Sequence, residues 1–240
     1  MKDNHRAVQT IRDRIARAAR RTGRGAQDIT LVAVSKTKPI EEIIAAYEAG
    51  VRHFGENRTE ELEEKARALR HLIDLKWHFV GHLQTRQSRV VADFAHFFHA
   101  VDGVKIARRL SSQLEEIQRN LPVFIQVNAS GEDSKHGLRC ENWEVEPFQM
   151  ETLFNTIREV ATLPNLEILG LMTMAPFHAP EEALRGIFGK MARLSARVQK
   201  VFPELAARQL SMGMSGDFEI AIEEGATLVR IGTAIFGTRG

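Results

Sequence analysis

The sequence contains almost no cysteine. Cys140 is the only one in 240 residues, so the chain cannot form an internal disulfide. It also lacks any apolar run approaching the roughly 20 residues that a membrane-spanning helix needs. In the absence of both features, we expect a cytoplasmic protein in a reducing compartment, without a membrane partner. The polar residues around Cys140 predict an exposed loop and a thiol without a catalytic role.

An excess of one charge sign is missing as well. The chain has 33 Lys and Arg against 31 Asp and Glu, a formal charge of +2. This balance argues against nucleic acid as a partner. Near the start, several arginines alternate with Ile11 and Ile15 at helical spacing, which predicts an amphipathic helix over 3–22 with a solvated basic face.

Linkers are absent too. The 7 prolines and 17 glycines are spread along the chain, and no change in composition separates one half from the other. We therefore expect residues 1–240 to form a single domain. The longest irregular stretch, 129–148, is where a lid or binding loop is expected.

Short apolar runs alternate with helical patterns along the whole chain. Eight runs predict strands at 29–35, 53–56, 76–82, 98–102, 123–128, 168–174, 209–215 and 228–232. Helical patterns lie between most of them, at 40–49, 58–70, 103–119, 151–161 and 181–201. This alternation requires parallel pairing, and the nearly continuous apolar strands indicate burial on both faces. Eight units favour an α/β fold of the (β/α)8 TIM-barrel type, with an extra N-terminal helix, over an open doubly wound sheet.

One lysine stands where a barrel places its chemistry, at the carboxyl end of a strand. Lys36 follows a run of apolar and small residues, and partial burial would lower the pKa of its amine and favour imine formation. From position alone, an ordinary lysine emerging into solvent is the stronger interpretation. Lys38, two residues later, is a competing candidate.

The last two strands end in glycine-rich segments. In 210–217, Gly213 and Gly216 allow a ligand close to the backbone and Ser215 supplies a hydroxyl, while in 230–237 Gly232 and Thr233 open a final helical turn. Many barrels bind phosphate after strands seven and eight. Phosphate binding is therefore favoured here over turn formation alone.

Other candidate groups have simpler interpretations. His78 and His82 are four residues apart on one strand, too far to share a metal easily, and His96, His99 and His136 add no ligand spacing, so we expect no metal site. Met172 and Met174 are expected to pack the barrel. Glu56 is expected to face solvent at the start of a helix.

Several of these segments together resemble the pyridoxal phosphate homeostasis proteins. The resemblance rests on Val34-Ser-Lys-Thr-Lys-Pro39, His53-Phe-Gly-Glu-Asn57, Trp77-His-Phe-Val-Gly-His-Leu-Gln84, Val127-Asn128 with Lys135-His-Gly137, Gly170-Leu-Met-Thr-Met174, Leu210-Ser-Met-Gly-Met-Ser-Gly-Asp217 and Val229-Arg-Ile-Gly-Thr-Ala-Ile-Phe-Gly237. It extends from about residue 5 to the end, in the family's order and spacing. That family resembles the N-terminal barrel domain of alanine racemase and lacks its C-terminal β domain.

The resemblance implies a pyridoxal 5′-phosphate (PLP) site with a role for each of eight residues. Lys36 would form the Schiff base, in place of the ordinary lysine favoured by position alone. Arg230 would face the pyridine nitrogen, and Asn57 and Met174 would lie near the ring. The phosphate would be held by Ser215 and the backbone of Gly216, Gly232 and Thr233.

The implied function is PLP (vitamin B6) homeostasis, as a carrier or buffer without robust catalysis. Arg230 can only donate to the pyridine nitrogen, which makes the cofactor a poorer electron sink. Alanine racemase adds a tyrosine base from its second domain, whereas the only tyrosine here, Tyr47, falls in a predicted barrel helix. We expect a monomer that passes PLP to apo-enzymes or small amines.

Two alternatives stay open at this point. A racemase or related lyase would need a second base, for which His82 or Lys38 is the fallback. A metal-dependent hydrolase would use His78 or His82 with Asp102. Residues 139–149 look longer and more acidic than in the family, and a surface insertion is favoured over a partner contact.

Overall fold

The computed structural model describes residues 2–238; Met1, Arg239 and Gly240, at the ends of the expected domain 1–240, lie outside them. The strands are β1 (Thr30–Val34), β2 (His53–Glu56), β3 (Lys76–Phe79), β4 (Phe97–Val101), β5 (Leu121–Asn128), β6 (Leu138–Arg139), β7 (Leu166–Met172), β8 (Gln209–Ser211) and β9 (Leu228–Ile231). All of their pairings are parallel, and the sheet closes because β1 pairs with β9 and β4 with β5. β6 pairs only with the end of β5. The other eight strands form the predicted barrel.

Helices connect the barrel strands, except for α1, which precedes β1, and α9, which follows β9. They are α1 (Lys2–Arg21), α2 (Ile40–Glu48), α3 (Thr59–Ala68), α4 (Ser88–Phe94), α5 (Val104–Glu116), α6 (Pro147–Ala161), α7 (Glu181–Val201), α8 (Phe218–Glu223) and α9 (Thr233–Phe236). No helix among residues 2–238 is both long and apolar enough to cross a membrane.

The N-terminal helix is amphipathic, as its sequence predicts. Its apolar face, which includes Ile11 and Ile15, is buried, and α1 packs on α2, α8 and α9. Part of the basic face is paired rather than solvated, since Arg14 lies 2.7 Å from Glu219 and Arg21 lies 2.6 Å from Glu223. Helix α1 thus joins the first segment of the chain to the last turns of the barrel.

Four strands, β1, β3, β8 and β9, are shorter than predicted, and β3 and β8 differ most from the predicted ranges. β3 ends at Phe79 and β8 at Ser211, and the residues after them leave the sheet to border a cavity. The turn after β8 depends on Gly213, which has φ +95°, and a Cβ there would lie 2.6 Å from the Cβ of Ala221. Only glycine meets both requirements without strain.

The expectation of an exposed Cys140 is wrong. Its N–H donates to the Asn128 carbonyl oxygen at 3.0 Å, directly after β6, and this bond draws the residue into the core, where it is fully buried. Burial raises the pKa of the Cys140 thiol to about 12, with a smaller effect from Glu141. Within 139–149, therefore, only part of the predicted surface insertion lies at the surface.

Candidate functional site

A cavity of 530 Å³ opens at the carboxyl ends of the barrel strands, within the range of about 300–1,000 Å³ that is ordinary for small-molecule sites. It contains side chains or backbone from segments far apart in the sequence. All eight residues named above line it: Lys36, Asn57, Met174, Ser215, Gly216, Arg230, Gly232 and Thr233. The fold thus brings the whole expected set to one place.

The backbone on both sides of Lys36 is held by a buried group of charges. Lys65 donates to the Ser35 carbonyl oxygen and to Glu61, each at 2.8 Å, and Glu61 accepts from the Thr37 N–H at 2.6 Å. Thr37 has φ +63°, a left-handed conformation that costs a non-glycine residue about 1–2 kcal/mol. These contacts fix the half-buried Lys36 at the cavity wall.

Glu56 completes this group, which we call the Lys65 clamp (Glu56, Glu61 and Lys65). The expectation of a solvent-facing Glu56 is wrong, since it is 0% exposed. Its Oε1 lies 2.8 Å from Lys65 Nζ and accepts from the Ser35 hydroxyl at 2.7 Å. Burial raises the pKa of Glu56, while Lys65 and the Ser35 hydroxyl oppose the shift. The lysine contact and the hydroxyl offset much of the cost of placing this carboxyl group inside the barrel.

Lys38 also borders the cavity, but its ammonium group is engaged elsewhere. Its Nζ donates to the carbonyl oxygens of Phe236 at 2.7 Å and Thr238 at 3.2 Å, and lies 4.0 Å from Glu42. Imine formation at Lys38 would have to break these contacts. Lys36 is therefore the better candidate for imine formation.

The glycine-rich segments meet at one end of the cavity. The Ser215 hydroxyl accepts from the Ala234 N–H at 3.3 Å, which ties the turn after β8 to the first turn of α9. Asp217 immediately precedes α8, and its side chain accepts from the Met214 N–H at 2.5 Å instead of capping the helix. Hydroxyl and backbone N–H groups from 215–216 and 232–233 thus border the same space.

Arg230 lies at the buried end of the cavity. Its guanidinium donates to the Ser211 hydroxyl at 2.6 Å and to the Thr173 carbonyl oxygen at 2.8 Å. Burial lowers the pKa of Arg230 to about 10, and the charge of Asp217 opposes this. The side chain stays protonated at neutral pH and offers only donors to a ligand.

Three histidines continue from Ser211 through the interior of the barrel. His99 Nδ1 lies 2.8 Å from Ser211 Oγ, His78 Nδ1 lies 2.8 Å from His99 Nε2, and His53 Nδ1 lies 2.8 Å from His78 Nε2. Burial lowers the pKa of all three, and those of His78 and His99 fall well below the usual value. We call this set the histidine chain (Ser211, His99, His78 and His53).

Asn57 borders the cavity after β2. Its Oδ1 is buried without a hydrogen-bond partner among the described residues, so an acceptor is available to a ligand. The backbone of Asn57 is approached closely by Gly81, where a Cβ would lie 2.4 Å from the Asn57 carbonyl oxygen. Glycine at 81 is needed for this contact.

His82, Asp102 and His136 form the one group in 2–238 with ligand atoms close enough to suggest a metal, within 4.8 Å of one another. His82 Nδ1 lies 2.9 Å from Asp102 Oδ2, and the rings of His82 and His136 stack with centroids 4.2 Å apart and planes 12° from parallel. Ring nitrogens bind a metal in the ring plane. Two nearly parallel rings therefore do not aim their nitrogens at one point.

A short loop after β7 forms the cavity mouth. Met174 is half-buried and lines the cavity, whereas Met172 is packed in the core, as expected. Phe177 also lines the cavity and is 73% exposed. Lys135, from the long loop after β5, places its ammonium 5.0 Å from the centroid of the Phe177 ring. The long loop thus reaches the mouth, where a lid or binding loop was expected.

Sequence reasoning missed the Lys65 clamp and the histidine chain. Each joins residues from several elements, and only their positions in the closed sheet bring them together. One signal was present: β2, β3 and β4 each carry a histidine, at positions 53, 78 and 99. Buried histidines need hydrogen-bond partners. One histidine in each of three neighbouring apolar strands therefore indicates that these side chains have partners inside the barrel.

The chain matches known proteins over nearly all of its length. The family model described as the N-terminal domain of alanine racemase matches residues 7–240. A protein of Vibrio cholerae named pyridoxal phosphate homeostasis protein is 42% identical over 243 residues, which cover 100% of this chain and 98% of that protein.

Solved structures agree in fold. PipY of Synechococcus elongatus with PLP bound is 33% identical, has a TM-score of 0.79, and the match covers 93% of this chain and 100% of that one. An alanine racemase of Clostridium difficile in complex with cycloserine is 14% identical with a TM-score of 0.73, over 99% of this chain and 60% of the racemase. At that identity the racemase is a likeness of fold alone.

Proposed function

The chain belongs to the alanine racemase N-terminal domain family, and from that premise we propose that it binds PLP on Lys36 and acts in PLP homeostasis. It holds the cofactor as a Schiff base and serves as a carrier or buffer without robust catalysis. The observation that carries this proposal is the single cavity lined by all eight expected residues. The name of the 42% identical V. cholerae relative and the PLP-bound title of PipY support it.

The groups around the cavity suit each part of the cofactor. Ser215 and the backbone of Gly216, Gly232 and Thr233 supply neutral donors to a phosphate. Asn57 Oδ1, buried without a partner among residues 2–238, can accept from a ring substituent, and Met174 supplies apolar contact. Lys36 is the amine placed between them. The residues present therefore fit the group.

The charges of the site explain binding without strong catalysis. When bound, PLP supplies an aldehyde that combines reversibly with amines and a ring that can act as an electron sink. Arg230 offers only N–H donors to the ring nitrogen, which keeps that nitrogen unprotonated and weakens the sink. Tyr47 lies on α2 and its hydroxyl hydrogen-bonds Asp74 outside the barrel. It is therefore no second base for this cavity.

Residues 1–240 are proposed to form one PLP-binding domain that is monomeric and cytoplasmic. Release of PLP needs an amine that can enter the cavity and displace Lys36. The open mouth beside Phe177 admits small amines, and transfer to apo-enzymes follows from the same reversibility. No metal takes part in this proposal.

The proposal is tested by the absorption spectrum of purified protein before and after borohydride reduction, with peptide mass mapping. We expect a visible imine band that reduction converts into a stable adduct on Lys36. Lys36→Ala should remove the adduct, whereas the matched variant Lys38→Ala should keep it. An adduct on Lys38, or none after PLP is added, would contradict the proposal.

A second candidate function, amino-acid racemase or lyase, is favoured by one observation. His82 lines the cavity and its Nδ1 is bonded to Asp102, an arrangement that can orient a histidine base. In a racemase, His82→Gln would abolish racemisation in both directions, leaving at most α-proton exchange of one enantiomer, while keeping the Lys36 adduct. The carrier proposal predicts full transfer of PLP to an apo-enzyme and negligible turnover of amino acids, both in the wild type and in His82→Gln.

A further inference from the structure

Arg230 carries a buried charge without a carboxylate beside it. Among residues 2–238, no Asp or Glu oxygen lies within ion-pair distance of its guanidinium, and Asp217 favours the charge only from farther away. Its two hydrogen bonds go instead to the neutral Ser211 and to the Thr173 carbonyl oxygen. A buried guanidinium needs polar support of some kind.

We propose that the histidine chain supplies this support, with Ser211, His99 and His78 as positioning residues that hold Arg230 toward the cofactor ring by a one-way series of hydrogen bonds. The inference rests on the proposed function for the presence of the ring. It assigns a role to buried groups that the binding site itself does not use.

The direction of the series follows from counting hydrogens. Arg230 can only donate, so the Ser211 oxygen accepts from it. The Ser211 hydroxyl hydrogen is then available to His99 Nδ1, 2.8 Å away. A neutral imidazole has one N–H and one bare nitrogen, so His99 donates through Nε2 to His78 Nδ1, and His78 donates through Nε2 to His53 Nδ1. Ser211, His99 and His78 thus each both accept and donate, and His53 accepts at the end of the series.

The opposite direction leaves one hydrogen without a partner. If His53 donated to His78 and His78 to His99, His99 Nδ1–H would donate to Ser211. The Ser211 oxygen would then accept twice, and the described residues offer its own hydrogen no further acceptor. Ser211 is 0% exposed, and a buried donor without an acceptor is costly. The structure therefore favours donation away from Arg230.

A neutral chain has a different effect from a carboxylate. A carboxylate would cancel the charge of Arg230, whereas neutral imidazoles stabilise the guanidinium and leave its positive charge facing the cavity. Burial lowers the pKa of His78 and His99 and keeps them neutral. A cofactor nitrogen held beside Arg230 would therefore meet a full positive charge that opposes its protonation.

The histidine chain ends at the opposite side of the barrel. His53 is the first residue of β2 and borders a second cavity, of 490 Å³, at the amino ends of β1 and β2. It is half-buried, and both burial and Lys76 lower its pKa. His53 therefore terminates the series near solvent as a neutral acceptor.

The first test is ¹⁵N nuclear magnetic resonance of the histidine rings in the apo-protein, which distinguishes a protonated ring nitrogen from a bare one. We expect His99 and His78 to carry hydrogen on Nε2 alone at neutral pH. Hydrogen on Nδ1 of either ring, or a doubly protonated ring, would overturn the proposal. This measurement does not depend on PLP binding.

The second test changes Ser211, with Ser211→Ala against Ser211→Thr, which keeps the hydroxyl. In Ser211→Ala we expect altered resonances at His78, which does not contact Ser211, and a shifted absorption band of bound PLP. Retention of PLP should weaken by about tenfold, the effect of losing one hydrogen bond to a charged group. Ser211→Thr should restore all three. Ser195→Ala, a buried serine on α7 bonded to Gln199, is the matched control and should change none.

The outcomes separate this proposal from the proposed function. A wild-type protein without a Lys36 adduct after borohydride would refute PLP binding, while the ring resonances would still decide the direction of the chain. A normal adduct and an unshifted band in a folded Ser211→Ala variant would refute the positioning role alone. If Ser211→Ala does not fold, the wild-type resonances and Ser211→Thr carry the test.

Discussion

The buried charges beside Lys36 show how single residues fix the reactive group. Lys65 contacts Glu56, Glu61 and the Ser35 carbonyl oxygen, each at 2.8 Å. Removing one member of a buried ion group leaves an uncompensated charge, which costs more than the pair contributes. The stability of the protein and the position of Lys36 therefore depend on the same contacts.

Lys65→Met should lower the free energy of unfolding by about 3–5 kcal/mol, because Glu56 loses its cation inside the core. Urea denaturation measures this change. The matched control is Arg67→Met on the same helix, where an exposed pair with Glu63 at 2.8 Å is worth about 0.5 kcal/mol or less. Equal losses in the two variants would contradict the role assigned to the clamp.

Gly81→Ala should weaken cofactor retention by about tenfold or more, because its Cβ would lie 2.4 Å from the Asn57 carbonyl oxygen and the backbone there must move. Equilibrium dialysis of PLP-loaded protein checks this. Gly186→Ala, on α7 with no atom within 4 Å of the added Cβ, is the control and should stabilise the helix by up to about 1 kcal/mol. Normal retention in Gly81→Ala would show that the Asn57 backbone can shift without harm.

Residue identities at the site were predictable where the sequence carries a run of specific residues, as at 34–39 and 210–217. Position alone could not decide between Lys36 and Lys38 as the reactive lysine. The carbonyl oxygens of Phe236 and Thr238 that engage Lys38 lie about 200 residues away in the sequence. Cys140 and Glu56 were misjudged for a related reason. Polar neighbours in sequence do not reveal which backbone and side-chain partners burial will supply.

At the scale of elements, strands β2, β3 and β4 carry histidines that the fold keeps neutral. Besides the histidine chain, His96 just before β4 accepts from the Trp77 N–H at 3.0 Å. Burial lowers the pKa of His96 to about 4, with Lys76 and Arg119 adding to the effect. These strands should therefore lose stability in acid.

The free energy of unfolding should fall as the pH drops from about 6.5 toward 4. In this window the unfolded chain binds protons that the folded histidines do not, and each such histidine contributes a slope of about 1.4 kcal/mol per pH unit. Urea denaturation at several pH values measures the slope. His96→Gln should reduce it, whereas the exposed His71→Gln should not. An unchanged slope in His96→Gln would mean that His96 is protonated in the folded protein.

Element positions followed from sequence periodicity more closely than element ends. Helix α7 spans the predicted 181–201, because its apolar positions recur over five turns. The end of β3 was placed three residues too late, since Val80 to His82 remain apolar or aromatic but line the cavity instead of the sheet. The missed helix α4 has only seven residues, too few for a clear period.

At the scale of the whole molecule, closure of the sheet explains why α1 is part of the fold. Strand β1 pairs with β9 over Thr30 to Ala33. Helix α1 packs on α2, which follows β1, and on α8 and α9, which lie on either side of β9 in the sequence. Ile15 at its centre is 3% exposed. The helix buries surface that the barrel alone would leave open to water.

Ile15→Ala should therefore lower the free energy of unfolding by about 2–5 kcal/mol, as for a cavity in a barrel core. Thermal and urea unfolding check this. Arg17→Ala, exposed on the same helix, should change stability by no more than about 0.5 kcal/mol. A small loss in Ile15→Ala would indicate that α1 detaches without disturbing the barrel.

Because β1 pairs with β9, the barrel can close only after β9 has been synthesised. Lys36 is made before Ser215, Arg230 and Thr233, which follow about 10–40 s later at ordinary rates of translation. During that interval the amine of Lys36 has no phosphate groove opposite it. A nascent chain that stops short of these residues can meet PLP but lacks the groups that hold its phosphate, so we expect loading with cofactor only after Thr233 has been synthesised.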